Sequence, residues 1–407
     1  MTTSNTEETA RTSSSQPAVF EPRGGESWRD PFPMYRALRD HDPVHHAAEL
    51  GVFVLSRFED VFGAATDPAT FSSAEGLTFR YGEKEKLGIE APIVMLDPPE
   101  HTSLRRLVST SFTPARVAAL EPMLRSFVVE RVERLRERGE ADVVAELFGP
   151  LPSLVVGHFL GVPPEDQALF DRWTESTVAA NATGDFPSAR DAVRELFQYF
   201  VALMERRRRE PGADLISALV HAELDGAAVS LAKVLGFAFT MVTGGNDTTT
   251  GLLGGAAELL TRHPDQRKRL LEDPGRIPNA VEEFLRLTAP VQGLARTATR
   301  DVEIHGTLIP KGKRVVLLYA SANRDEREFG ASAEACDVDR RIRHHLSFSY
   351  GPHHCLGAAA ARLQARIALD ELLARCPHFA VDATRGRYAS GHFVRRFETL
   401  PFVADAR

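Results

Sequence analysis

Between Ser230 and Pro264 the apolar residues Leu231, Val234, Leu235, Ala238, Val242, Leu252, Leu253, Ala256, Leu259 and Leu260 keep one helical phase, with Ser230 as a plausible N-cap. This stretch constrains the fold most, because its middle, TGGNDTTTG from Thr243 to Gly251, opposes a helix. Gly244, Gly245, Gly251, Gly254 and Gly255 each cost an isolated helix about 1 kcal/mol relative to Ala, and three successive threonines add to that. Two readings stand: a loop joining two shorter helices, or one helix kept by tertiary burial. The resumption of the apolar period in compatible phase favours the second. A helix held against its own propensities points to function. Its missing side chains would let something flat approach the backbone, with the carboxylate of Asp247 and the hydroxyl of Thr248 at the same level. Locally weakened helical hydrogen bonding would also leave space for a small ligand or water.

Elsewhere helical patterns dominate and strands are few, so the expected class is mainly α with a minor β part. DPFPMYRALRDHDP reads as a helix, VFVLSRFED as a strand leading into another, and Pro114 to Gly139 as one long amphipathic helix. VEIHGTLIPKGKRVVLLYASAN reads as short strands and turns before a final helix that begins near Gly357. The polar Ser/Thr-rich residues 1–19 are expected to be a disordered leader, and 20–407 a single domain. The leader has no basic flank before an apolar core, and no uninterrupted apolar run of about 20 residues follows, so neither a signal peptide nor a membrane anchor is expected. A net charge of −7 gives no basic excess for nucleic acid. Cys336, Cys355 and Cys376 match neither a disulfide framework nor a zinc knuckle, which fits a reducing, cytoplasmic setting. Arg206 to Arg209 read as a solvated helix end.

Cys355 stands just before the good helix formers Ala358 to Ala361, where the positive helix terminus and free N–H groups favour a thiolate. Gly351 and Gly357 let the backbone turn closely around the sulfur, and Pro352 stiffens the turn. Such a sulfur serves as a nucleophile, a zinc ligand or an axial ligand to haem iron; the lack of a CxxC argues against zinc. Glu283 and Arg286, three apart on one helix face, are by themselves an ordinary surface pair. Cys376 and Cys336 read as packed thiols.

Taken together, FSYGPHHCLG with Phe348, Gly351, His353, Cys355 and Gly357, the Gly244-Gly245-Asn246-Asp247-Thr248-Thr249 segment, the E-x-x-R pair Glu283 and Arg286, and the later Arg340 resemble the cytochrome P450 superfamily, in its soluble actinobacterial form. The resemblance runs from about residue 20 to the C-terminus. Ser349 departs from the usual glycine, and Cys336 from the usual phenylalanine. The resemblance implies a haem b cofactor with the Cys355 thiolate on the iron and the central helix across the ring, near Gly244. It implies His101, Arg105, Arg296 and His353 as propionate contacts, Asp247 and Thr248 as the proton-delivering pair, and Glu283, Arg286 and Arg340 as a structural charge network. An acid and alcohol at these positions favour a reductively activated monooxygenase over a peroxide-driven enzyme or a haem carrier.

The same resemblance implies electrons from a ferredoxin and a flavoprotein reductase using NAD(P)H, with Arg341, Arg343, His344, Arg362 and Arg366 as a cationic docking face, and a monomeric chain. The substrate segments it points to offer Leu77, Phe79, Leu87, Ile93, Val94, Phe170, Trp173, Gln292 and Leu294, so a small hydrophobic substrate is expected, with Thr243, Gly244, Gln292 and Gly293 as contacts.

Overall fold

A computed structural model describes residues 18–406 apart from 84, 86–89, 184 and 225; most of the expected leader therefore lies outside the described residues, as does Leu87. One helix, Leu231–Arg262, runs without interruption through the glycine and threonine segment, which sets aside the loop reading. At 1.5 Å per residue it is about 48 Å long. Ser230 caps it by accepting from the Lys233 N–H at 3.1 Å.

Its glycines explain why the poor local propensity is tolerated. A Cβ on Gly245 would stand 2.7 Å from Val156 Cγ2, one on Gly251 2.7 Å from the Arg395 carbonyl oxygen, and one on Gly255 would collide with Thr288. These three positions let other chain segments pack against the helix backbone. Gly244 differs: a Cβ there would meet no atom within 4 Å. Of the expected close approaches to bare backbone, only the one at Gly244 is left for a group outside the protein. Leu252, Leu253, Ala256, Ala257 and Leu260 are at most 1% exposed. Burial at about 1.5–3 kcal/mol per large side chain offsets the glycine penalties. Leu231, expected among the buried positions, is 45% exposed at the helix start.

Around this rod pack Pro150–Leu160, Gln167–Thr183, Ile277–Thr288 and the last helix, Ala358–Arg375, which also lies along Glu121–Arg138. The single helix expected from Pro114 to Gly139 is two, Pro114–Ala118 and Glu121–Arg138. Pro122 is the cause: it has no N–H to give the Ala118 carbonyl, and its ring crowds that oxygen. The apolar period survives the break, with Val117, Leu120, Leu124, Val128 and Val132 all buried. Arg206 to Arg209 end the helix Arg190–Arg209 as expected, but Arg207 is held inward by Asp214 at 2.6 Å and the Gly161 carbonyl at 3.0 Å.

The minor β part is led by a five-stranded sheet in the order Val44–Ala47, Val52–Leu55, Arg314–Leu317, Leu294–Ala298, Phe71–Ser72. Only the Val52–Leu55 and Arg314–Leu317 pair is parallel; the other pairs are antiparallel, and Arg296 lies opposite Val315. Among the described residues no helix is long and apolar enough to cross a membrane.

Candidate active site

The loop before the last helix is shaped by backbone that side chains resist. Ser349 has φ 55° and Gly351 φ 67°. A Cβ on Gly351 would press to 2.8 Å from the Ala65 carbonyl oxygen, so glycine is required there twice over. Ser349 is held in its unusual conformation by its N–H on the Leu346 carbonyl at 2.9 Å and its hydroxyl 3.2 Å from that of Tyr319. After a short turn, Gly351–His353, the Cys355 N–H donates to the Phe348 carbonyl at 2.8 Å, and Arg105 Nη2 donates to the His354 carbonyl at 2.6 Å.

Cys355 keeps exposed surface although protein mass encloses it. Enclosure governs its acidity. Burial pushes the thiol up, against the Gly357 N–H and the charges of Arg105 and Arg362, which pull it down. The expected pull of the helix terminus is present in the Gly357 N–H, and Arg105 and Arg362 add to it, although desolvation acts against all three. Cys336 and Cys376 are buried, free thiols, with Cys336 pushed up to about 12, chiefly by burial.

On the central helix, which packs against the last helix, Gly244 is exposed between half-buried Thr243 and Gly245. Thr248 Oγ1 donates to the Gly244 carbonyl at 2.9 Å, and Thr243 Oγ1 to Phe239 at 3.0 Å. Asp247 is 7% exposed; burial pushes its carboxyl up, and Arg396 Nε, 2.5 Å away, pulls it down. Arg396 was not singled out by sequence reasoning. The signal available was the Arg395-Arg396 doublet between apolar neighbours in FVRRF. Arg395 turns instead to the Trp28 carbonyl at 2.7 Å and the Tyr388 hydroxyl at 2.5 Å.

His101, Arg105, Arg296 and His353 come together from a helix, a strand and the cysteine loop. The His101 and His353 rings lie 4.3 Å apart, and His353 Nε2 is 3.1 Å from the Ser73 hydroxyl. Burial, then Arg296, His101 and Arg105, pushes His353 down to about 3. His101 Nδ1 is buried without a hydrogen-bond partner, and Arg296, 3% exposed, reaches only the carbonyl of Ala295 among the described residues, at 2.9 Å. Basic groups gathered away from water call for anions. This cluster, an enclosed thiol and a glycine face with room beside it fit a flat metal macrocycle that carries carboxylates.

Two sets of expectations change. Gln292 is 1% exposed and its amide is consumed by the protein, accepting from Tyr35 at 3.0 Å and donating to the Thr288 and Ala289 carbonyls. It is corrected from substrate contact to structural clasp. A Cβ on Gly293 would lie 2.8 Å from the Leu317 carbonyl oxygen, so that glycine serves sheet packing. Phe170 is fully buried against Phe200. On the expected docking face, Arg362 and Arg366 are already paired, with Glu282 and with Glu121 and Asp370, and His344 with Glu328. Arg341 and Arg343 are exposed.

Glu283 and Arg286 are both 0% exposed and joined by two bonds of 2.7 and 2.8 Å. Arg286 also donates to the Asn323 and Ala333 carbonyls, and Arg340 Nε reaches Glu283 at 3.2 Å. This pair is a buried brace for the segment from Asn323 to Arg340, not a surface pair.

A site that pairs a cysteine with a cationic clamp, across from a helix bearing an acid and an alcohol, defines a haem-thiolate protein. The cytochrome P450 family model matches residues 174–385. Cytochrome P450 130 of Mycobacterium tuberculosis is 57% identical over 393 residues, covering 94% of this chain and 97% of that one. Among solved structures, CYP109Q5 from Chondromyces apiculatus superposes with a TM-score of 0.85 at 36% identity, over 94% of this chain and 97% of that one. CYP109E1 from Bacillus megaterium in complex with testosterone gives a TM-score of 0.83 at 30% identity, over 93% and 100%. The chain belongs to the cytochrome P450 family: it is a haem b enzyme, a P450 monooxygenase, whose family uses redox partners and binds small-molecule substrates.

Proposed function

We propose that this enzyme inserts one oxygen atom from O₂ into a small hydrophobic organic molecule, by hydroxylation or oxidative dealkylation. Its electrons would come from a ferredoxin and an NAD(P)H-dependent reductase. Residues 20–407 act as one haem domain, monomeric and cytoplasmic. Cys355 is the iron ligand, and His101, Arg105, Arg296 and His353 hold the propionates. Haem, when bound, supplies the one-electron chemistry and the activation of oxygen.

The observation that carries the reading is the acid–alcohol pair. The Thr248 hydroxyl proton is committed to the Gly244 carbonyl, so its remaining lone pairs can accept from a water or from an acid on the open side of the helix. Asp247, pushed up by burial yet tied to Arg396, is a carboxyl poised to carry a proton. The hydroxyls of Thr240, Thr243 and Thr248 are all turned back onto helix carbonyls, so this face presents methyl groups to a substrate. With half-buried Leu77, Phe79, Val94 and Leu294, that favours an apolar guest. The relative that holds testosterone sets a scale of four fused rings.

Thr248→Ala tests the pair. With reductase and ferredoxin present, it should raise NAD(P)H consumed and peroxide released per product several-fold; unchanged coupling removes Thr248 from proton delivery. Peroxide alone should give little product, and efficient turnover on peroxide would favour the peroxide-driven reading. Reversing Arg341 and Arg343 to Glu should slow reduction by ferredoxin, most at low salt.

A further inference from the structure

Arg362 lies on the last helix, seven residues after Cys355, and its role is not that of a free surface cation. Its Nε and Nη2 donate to the two carboxylate oxygens of Glu282 at 2.6 and 2.8 Å. The same guanidinium carbon stands 4.6 Å from the centre of the Phe348 ring, a cation–π distance. The Phe348 carbonyl in turn accepts from the Cys355 N–H. His345, 3% exposed, closes the group from the other side, its Nε2 3.2 Å from Glu282. Burial would raise the Glu282 carboxyl, but Arg362 and His345 outweigh it and hold it down at about 2. Glu282 is therefore charged at any working pH. The fork geometry fixes the guanidinium plane.

We propose that Arg362, positioned and partly neutralised by Glu282, sets the one-electron reduction potential of the thiolate-bound centre by holding a fixed positive charge against Phe348. The inference rests on Cys355 being the ligand. Reduction adds one electron, delivered by an external reductant, and lowers the net charge of the site by one with no bond made or broken in the protein. A nearby cation favours that product, and its removal favours the oxidised form. Removing the carboxylate that trims the cation has the opposite sign. A merely structural pair behaves differently, because cutting either side loosens the same loop.

The test is a spectroscopic redox titration of the purified holoenzyme with Arg362→Gln, Arg362→Lys and Glu282→Gln, each checked for its ferrous–CO band. In Arg362→Gln the midpoint should move negative, with the oxidised-to-reduced ratio at a fixed potential rising several-fold. Glu282→Gln should move it positive, and Arg362→Lys should stay near the wild type. Shifts of the same sign in Arg362→Gln and Glu282→Gln, or no shift in either while the thiolate band persists, overturn the proposal and leave the ligand assignment standing. If Arg362→Gln fails to retain haem, the sign in Glu282→Gln decides. Loss of the thiolate band in the wild type would sink the ligand assignment and this inference with it.

Discussion

Ser349 sits where an L-residue is strained by about 1–2 kcal/mol, at φ 55°. Replacing it by Gly or by Ala removes the same hydroxyl from Tyr319, but only Gly relieves the strain. Ser349→Ala should therefore unfold at the lower temperature of the two by roughly that free energy, and equal melting of the two variants would show that the loop is not strained. The glycines of the central helix make a second contrast. Gly244→Ala gains helix propensity with no clash and should leave stability unchanged or raised by up to about 1 kcal/mol. Gly251→Ala, which drives a methyl into the Arg395 carbonyl, should lose stability despite the same propensity gain; denaturant titration of both reads the difference. Cys355, Asp247 and Thr248 stand out in the sequence as candidates because the chemistry proposed for them is bound to local spacing. Arg396 and the clasp on Gln292 were not, because each is defined by a partner far along the chain, Asp247 in one case and Tyr35 in the other.

The central helix begins where the serine signal put it, and Ser230→Ala should cost about 1 kcal/mol, with faster amide exchange confined to the residues after Leu231. Slower or unchanged exchange there would show that packing, not the cap, fixes the start. Helix starts, stops and the final helix after Gly357 were readable because capping and propensity act within a few residues. The break at Pro122 was readable in principle, since one missing N–H decides it, but an uninterrupted apolar period hides it: Leu120 and Leu124 stay buried on either side. The sheet order was not readable. Arg314–Leu317 joins Val52–Leu55 in parallel across most of the chain, and no local pattern records that pairing.

Across the whole molecule, the helix Ile277–Thr288 ties the segment around Asn323, Ala333 and Arg340 to the core through Glu283 and Arg286. Glu283→Gln leaves two guanidinium groups facing a neutral amide and should cost about 3–5 kcal/mol, measured by urea unfolding; a loss under 1 kcal/mol would mean the brace is dispensable. Its neighbour Glu282 gives an acid limb. Its carboxyl is held below its unfolded value, so its contribution is complete above about pH 4.5 and fades as pH falls toward about 2. Stability of Glu282→Gln should accordingly vary less with pH across that window than that of the wild type. The central rod also divides into unequal halves. From Gly245 to Gly255 other segments press on bare backbone, whereas a Cβ on Gly236 would meet only ordinary contacts, with Glu90 and Pro92 at 3.8 and 3.9 Å. A protein engineer seeking new chemistry should diversify the half-buried positions 240 and 243 and leave 244 to 255 alone, since variation in the later block will mostly yield chains that never mature.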